Sequence, residues 1–215
     1  MDSHAARSAA DSPPRRGRPK RDPATSEVRR RLIRTGLAHL TERGYSAVGL
    51  DEILKAASVP KGGFYHYFSN KAEFGAALID AYNAYFCELL DRALLDERMT
   101  PLDRLRAFAA EAERGMARHG FRRGCLVGNL GQEMGALPEE FRDRLVSVLE
   151  EWQRRTERCL QLAQQAGEIG PAQDPEALAA FFWIGWEGAV LRAKLERRAE
   201  PLQRFADSYF TSITP

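Results

Sequence analysis

Apolar residues recur every three or four positions along most of this chain, the spacing of one face of an α-helix. The first such stretch covers residues 26–43, with Ser26 placed to cap its start and Gly44 to end it. Its apolar face comprises Val28, Leu32, Ile33, Leu37 and Leu40. No stretch alternates apolar and polar residues as a strand would, and no segment repeats. The pattern predicts an all-α protein.

The next apolar pattern, LDEILKAASVPKGGFYHYFSNKAEF at residues 50–74, predicts two short helices joined by a tight turn at Ser58-Val59-Pro60. In a helix-turn-helix, the N-terminal part of the second helix enters the DNA major groove. That geometry assigns five residues to the groove side: Lys61, Gly62, Gly63, Tyr65 and His66. Phe64 and Phe68, four residues apart, are expected to pack into the core instead.

The remaining chain predicts helices at residues 70–96, 102–118, 138–166, 175–198 and 201–213, with a glycine-rich segment at 124–135. Prolines Pro101, Pro138, Pro175 and Pro201 fall where a first helical turn accepts proline. We therefore expect a three-helix DNA-binding domain at residues 26–71 and a six-helix bundle at residues 72–215. Residues 1–25, rich in Ala, Ser, Pro and Arg, are predicted to form a disordered basic arm.

Charge divides the chain in the same way. Residues 15–71 carry 13 Lys and Arg against 5 Asp and Glu, whereas residues from 72 onward carry 18 against 23. The positive charge of residues 15–71 favours binding to a polyanion. Within the arm, Arg16, Arg18 and Lys20 are predicted to lie in a minor groove; the alternative is a solvated tail that only raises the local cation concentration. Arg29, on the polar side of the first helix, is a candidate phosphate contact.

Other classes of protein find little support. Three cysteines do not make a disulfide framework, and neither a membrane-spanning apolar run nor a signal sequence is present, so a cytoplasmic protein that does not bind membranes is expected. No glycine-rich phosphate loop or paired-carboxylate motif indicates an enzyme. His66 has no second ligand at metal-binding spacing. We expect no cofactor and no metal.

The residues FYHYFSNKAEF after ASVPKGG resemble the N-terminal signature of the tetracycline-repressor (TetR) family of one-component regulators, over residues 29–78. Ser58 stands where that family commonly has a turn glycine. Gly49 stands where it commonly has a hydroxyl cap, so no hydroxyl-phosphate contact is expected there. The resemblance implies that Tyr65 and Tyr67 contact phosphates or bases and that Lys71 binds a phosphate. It places Lys61 and His66 near base edges.

The predicted eighth helix, residues 175–198, is apolar on all sides through Val190, and Gly185 and Gly188 permit close helix approach. With the ninth helix it resembles the TetR dimer interface; the alternative is a core helix within one chain. Two recognition helices must meet successive major grooves about 34 to 36 Å apart. We therefore expect a homodimer on a pseudo-palindromic double-stranded DNA operator.

The segment HGFRRGCLVGNLGQE, residues 119–133, resembles a branch of the family that responds to electrophiles such as maleimides, aldehydes and unsaturated acids like acrylate. It implies a repressor released by a small-molecule inducer. Two chemistries remain open. In the first, neighbouring Arg122 and Arg123 and a helix N-terminus lower the pKa of the Cys125 thiol, which captures an electrophile covalently.

In the second chemistry, polar side chains bind a small carboxylate without a covalent bond. The residues predicted for that site are His119, Arg122, Arg123 and Asn129, with Phe182 and Trp186 as apolar walls. Cys125 would then be a small buried packing residue. Two further hypotheses stand beside the inducible repressor: an architectural DNA-binding protein without a ligand, and a repressor switched by cysteine oxidation.

Overall fold

The computed structural model describes residues 26–214, and every regular element in that range is helical. The helices are α1 (Glu27–Arg43), α2 (Leu50–Ala56), α3 (Lys61–Tyr65), α4 (Lys71–Leu94), α5 (Pro101–Ala117), α6 (Leu126–Gln132), α7 (Glu140–Gln165), α8 (Pro175–Glu196) and α9 (Glu200–Ile213). The predicted fold class, a helix-turn-helix domain followed by a helical bundle, is confirmed. The arm residues Arg16, Arg18 and Lys20 lie outside the described range.

Helices α1 to α3 pack around an aromatic centre. Phe64 is fully buried, and its ring centroid lies 5.4 Å from that of Phe68 and 5.5 Å from that of Phe74. The turn between α2 and α3 places Ser58 at a φ of 52°, in the left-handed region that favours glycine. A small polar residue is tolerated there, which explains how this chain forms the turn without a glycine.

Helix α4 connects the two parts of the molecule. It begins at a capping arrangement in which Asn70 Oδ1 accepts the Glu73 N–H at 2.8 Å, and Glu73 Oε2 accepts the Ser69 N–H at 2.7 Å. Its first turn buries Phe74 against α1, because Gly36 leaves the space; a Cβ there would lie 2.7 Å from Phe74 Cζ. The later turns enter the bundle core. A shift of α4 would therefore displace contacts in both the helix-turn-helix domain and the bundle.

The bundle packs α7 and α8 against α4, α5 and α9. Trp152 and Trp183 lie at its centre with ring centroids 5.1 Å apart, and Trp183 Nε1 donates a buried 3.0 Å hydrogen bond to Thr156 Oγ1. Helix α7 was predicted to start at Pro138 but starts at Glu140. The Pro138 carbonyl instead accepts the Phe141 N–H at 3.0 Å, which forms a tight turn ahead of the helix.

One face of α8 stays uncovered. Phe181, Ile184 and Leu195 recur at helical spacing and are 52%, 75% and 73% exposed, and we call them the exposed α8 face. Exposed apolar clusters of this kind mark interaction surfaces. Within residues 26–214, no helix is long and apolar enough to cross a membrane.

Candidate functional site

The surface around α3 carries the side chains predicted to read DNA. Lys61, Tyr65 and His66 are exposed, while Phe64 and Phe68 turn inward as expected. A Cβ at Gly62 would meet no atom within 4 Å, so packing within the chain does not require that glycine. Its open side leaves room for another molecule to approach the α3 backbone. Gly63 is tighter, because a Cβ there would lie 3.2 Å from Val59 Cγ1.

Three other predicted DNA contacts have partners within the chain. The hydroxyls of Tyr67 and Ser26 share a 2.7 Å hydrogen bond, so Ser26 occupies the cap position of α1 without a capping bond. Lys71 Nζ donates to the carbonyls of Tyr45 at 2.9 Å and Val48 at 2.7 Å, and burial lowers the pKa of its ammonium. The Arg29 guanidinium lies over the Phe68 ring. These three side chains brace the domain.

A cavity of about 760 Å³ lies between α1 and the bundle. This volume is in the range of small-molecule sites. Its apolar wall comprises Ile33, Leu37 and Ala38 of α1, Phe86 and Leu89 of α4, Ala112 and Met116 of α5, and Trp186 and Val190 of α8. One wall thus belongs to the DNA-binding domain and the others to the bundle. A molecule in the cavity would touch both.

Cationic side chains surround part of this cavity. We call them the arginine rim, and they are Arg29, Arg30, Arg34, Arg118 and Arg123. His119 also lines the cavity, and its pKa is lowered by burial and by neighbouring Arg123 and Arg118. The only lining carboxyls among the described residues are those of Glu111 and Glu187. The balance of charge therefore favours an anionic occupant.

Elsewhere in the cavity wall, three protonatable groups meet: the Tyr82 hydroxyl, the Cys125 thiol and the Glu187 carboxyl. Burial raises the pKa of the Glu187 carboxyl to about 7. Burial, with the nearby Glu187 carboxyl, holds the pKa of the Cys125 thiol well above its usual range. Burial raises the pKa of Tyr82 as well. At neutral pH, the thiol and the phenol are hydrogen-bond donors.

The expected activation of Cys125 is therefore wrong. Neither arginine stabilises its thiolate: Arg122 and Arg123 turn to Glu42, with nitrogen–oxygen distances of 3.8 and 3.9 Å. The buried thiol faces a carboxyl instead, which disfavours the charged form.

The predicted ligand residues separate into two groups. His119, Arg123, Cys125 and Trp186 line the cavity. Arg122, Asn129 and Phe182 are not part of its lining. Phe182 is fully buried in the bundle, stacked on Trp186 at 5.8 Å between centroids. Both aromatics were predicted as walls of the site, but only Trp186 lines the cavity.

Asn129 ties α6 to α1. Its Nδ2 donates to the carbonyls of Leu40 at 3.0 Å and Thr41 at 2.9 Å, in the last turn of α1. The Gly124 N–H also donates to the Thr41 carbonyl at 3.0 Å, and Lys194 Nζ of α8 donates to Asn129 Oδ1 at 3.2 Å. We call these contacts the Asn129 clamp. They join the end of α1 to α8 beside the cavity.

Glu133 makes a second link between the bundle and the DNA-binding domain. Its carboxylate accepts the N–H groups of Tyr45 at 3.0 Å and Ser46 at 2.7 Å, in the connection from α1 to α2. Sequence reasoning missed this residue and also missed Tyr82 and Glu187. Glu187 carried a signal, since it is the one carboxyl in the apolar run FFWIGWEGAVL. Burying a single carboxyl in an apolar helix costs free energy unless the group has a hydrogen-bond partner, so such a residue is a candidate for a functional role.

Comparisons with known proteins agree with this architecture. Residues 32–78 match the family model for bacterial regulatory proteins of the tetR family, and residues 101–209 match that for the tetracyclin repressor-like C-terminal domain. The transcriptional regulator AcuR of Cereibacter sphaeroides is 64% identical over 196 residues, which cover 91% of this chain and 90% of that protein. The HTH-type transcriptional repressor DhaR of a Mycobacterium species is 32% identical over 192 residues, covering 89% and 95%.

A solved structure is similar over nearly the same length. The regulatory protein TetR from Rhodobacter sphaeroides superposes with a TM-score of 0.87 at 63% identity, covering 88% of this chain and all of that one. These relatives are named as regulators and not as enzymes. The two matched family models together cover most of the chain, in the order in which the two parts of the fold occur. The chain belongs to the TetR family of bacterial transcriptional regulators.

Proposed function

We propose that this regulator is a homodimeric repressor that leaves its operator when a small unsaturated carboxylate or a related electrophile occupies the cavity between α1 and the bundle. The observation that carries this proposal is the shared wall of the cavity, to which α1 contributes Ile33, Leu37 and Ala38. Helix α1 packs on both α2 and α3. A bound molecule that shifts α1 against the bundle would therefore move the recognition helix.

The Asn129 clamp supports the coupling that this function needs. It fixes the C-terminal end of α1 to α6 and α8, so a displacement of the cavity wall at α8 has a direct route to α1. An inducer acts only if it prefers the conformation that does not bind DNA. A coupling of about 1 to 3 kcal/mol would weaken operator binding by roughly 5- to 150-fold.

The lining of the cavity supports a small anion as inducer. The arginine rim attracts negative charge, and the apolar walls suit a short hydrocarbon chain. Because the pKa of the Cys125 thiol is raised, the nucleophilic thiolate is scarce at neutral pH. These features favour noncovalent binding over covalent capture and over a switch by cysteine oxidation.

The exposed α8 face supports the dimer. Its three apolar side chains would be covered by a second copy of α8, and Gly188 between them leaves open space for close approach. Two copies would present two α3 helices to one palindromic site, as a helix-turn-helix protein requires.

Filling the cavity should separate DNA binding from induction. We expect Ala112→Leu to keep operator affinity within about threefold and to weaken the acrylate response by at least tenfold, because the added carbons occupy ligand space. Fluorescence anisotropy with labelled operator measures both quantities. Ala117→Leu is the matched control, since Ala117 is exposed on the same helix and does not line the cavity. Full release of Ala112→Leu by acrylate would contradict the proposed site.

Replacing the thiol tests the mode of binding. We expect Cys125→Ser to respond to acrylate within about threefold of the unchanged protein, because the hydroxyl remains a donor while the thiol nucleophile is lost. The same anisotropy assay with acrylate and N-ethylmaleimide measures this. An acrylate response abolished in Cys125→Ser would establish covalent sensing and overturn the noncovalent proposal.

A further inference from the structure

Glu187 has a buried carboxyl oxygen that the fold leaves unsatisfied. Its Oε2 atom is shielded from solvent and has no hydrogen-bond partner among the described residues. The carboxyl group lies against α6, where the absence of a side chain on Gly128 makes room; a Cβ at Gly128 would clash with Oε2. Unsatisfied buried polar groups are rare in native proteins and need a reason. Glu187 also lines the cavity.

Among residues 26–214, no cation pairs with this carboxyl. The groups beside it are the Tyr82 hydroxyl from α4 and the Cys125 thiol from the segment before α6. Lys194, two turns along α8, is bonded to Asn129. The other titratable groups of the lining are those of the arginine rim, Tyr85, Glu111 and His119.

The arginines of the rim already have partners. Arg30 and Arg34 pair with Glu27, Arg118 with Glu111 and Arg123 with Glu42, while Arg29 lies over the Phe68 ring. They favour the entry of an anion and leave its final contacts to other groups. The three groups at Tyr82, Cys125 and Glu187 are all donors when Glu187 is protonated. Burial raises the pKa of that carboxyl to about 7, so the protonated form is readily available.

We propose that Glu187 recognises the inducer by donating a hydrogen bond from its protonated carboxyl to the carboxylate of the ligand, so that each inducer is bound together with one proton. This inference rests on the proposed function, because it assigns the carboxylate-binding residue of the same cavity. A neutral carboxyl in an apolar site can donate in this way, whereas an ionised one would repel the ligand. The regulator would thus respond to the acid and to pH together.

The proposal fixes the sign of the pH dependence. Well below pH 7, Glu187 is already protonated and its titration no longer changes the affinity for the ligand. Above pH 7, binding must draw a proton from solvent, so the dissociation constant rises with a slope that approaches about tenfold per pH unit. The carboxyl of the ligand itself titrates near pH 4 and stays ionised throughout.

Isothermal titration calorimetry with acrylate on the full-length protein from pH 6 to pH 9 tests this. We expect the dissociation constant of the unchanged protein to rise about 50-fold between pH 7 and pH 9. At pH 8, titrations in two buffers of different ionisation enthalpy should show uptake of about one proton per ligand. Glu187→Gln, whose amide donates at every pH, should bind with a constant that changes less than about threefold over the same range.

Glu111→Gln is the matched control, since Glu111 also lines the cavity but is paired with Arg114 and Arg118. It should keep the full pH dependence. Acrylate binding without pH dependence in the unchanged protein, or with the same dependence in Glu187→Gln, would overturn the role of Glu187 and leave the proposed inducer standing. Failure of acrylate to bind at any pH would contradict both.

Discussion

Replacing Phe64 with alanine is expected to abolish operator binding while leaving the bundle folded. Phe64 is fully buried at the contact of α2, α3 and the start of α4, against the rings of Phe68 and Phe74. Removing a buried phenylalanine ring costs about 3 to 5 kcal/mol. A three-helix domain of this size has little stability to spare. The recognition helix would lose its support before the rest of the molecule does.

The three tryptophans make this prediction measurable. Trp152, Trp183 and Trp186 all lie in the bundle, so their fluorescence reports on that part alone, while circular dichroism reports on all helices. We expect Phe64→Ala to lose helical signal and operator affinity with unchanged tryptophan emission. Phe64→Leu, which keeps most of the apolar volume, should retain measurable binding. Operator affinity within threefold of normal in Phe64→Ala would show that α3 does not depend on this core.

A negative charge on the exposed α8 face should produce monomers. Ile184 is 75% exposed at the centre of that face. Burying a carboxylate there against a second copy would cost about 3 kcal/mol or more, which weakens association at least about 100-fold. A monomer presents one recognition helix, so operator affinity should fall with it. The single variant Ile184→Glu therefore tests whether α8 forms the dimer interface and whether operator binding requires the dimer.

Analytical ultracentrifugation at micromolar concentration, followed by operator titration, measures both effects. Leu95→Glu is the matched control, because Leu95 is 69% exposed at the end of α4 and lies outside the exposed α8 face. It should remain dimeric and bind DNA normally. A dimeric Ile184→Glu protein would place the interface elsewhere.

Local sequence signals were enough for the helices and the DNA-reading segment. The apolar spacing located α1, α4, α5, α7, α8 and α9 to within a few residues, and Pro101, Pro175 and Pro201 lie in first turns as expected. In the recognition segment, the spacing of Phe64 and Phe68 decided which aromatics turn inward. These properties depend on neighbours in sequence, which is why the chain alone carries them.

The ligand site depended on contacts between distant parts of the chain. Adjacency in sequence predicts that Arg122 and Arg123 lower the pKa of the Cys125 thiol. In the structure, both guanidinium groups pair with Glu42 of α1 instead, and burial raises the pKa of the thiol. Asn129 was expected in the pocket and instead holds the end of α1. That α1 forms a wall of the cavity follows from how the two parts pack, which periodicity does not encode.

This arrangement does not support an architectural DNA-binding protein without a ligand or a repressor switched by cysteine oxidation. A DNA-binding protein without a ligand has no need of a 760 Å³ cavity lined by five arginines. A redox sensor needs an accessible thiol of low pKa, whereas Cys87, Cys125 and Cys159 are all buried with raised pKa values. These observations support the proposal that occupation of the cavity controls α3.

The most direct test of the account is thermodynamic reciprocity between the two sites. The dissociation constant of acrylate is measured by calorimetry for the free protein and for the protein saturated with operator DNA, and that of operator with and without saturating acrylate. If the cavity and α3 are coupled through α1, each ligand must weaken the other by the same factor, which we expect to lie between about 5 and 150. Equal acrylate affinity in the free and operator-bound protein would contradict the account.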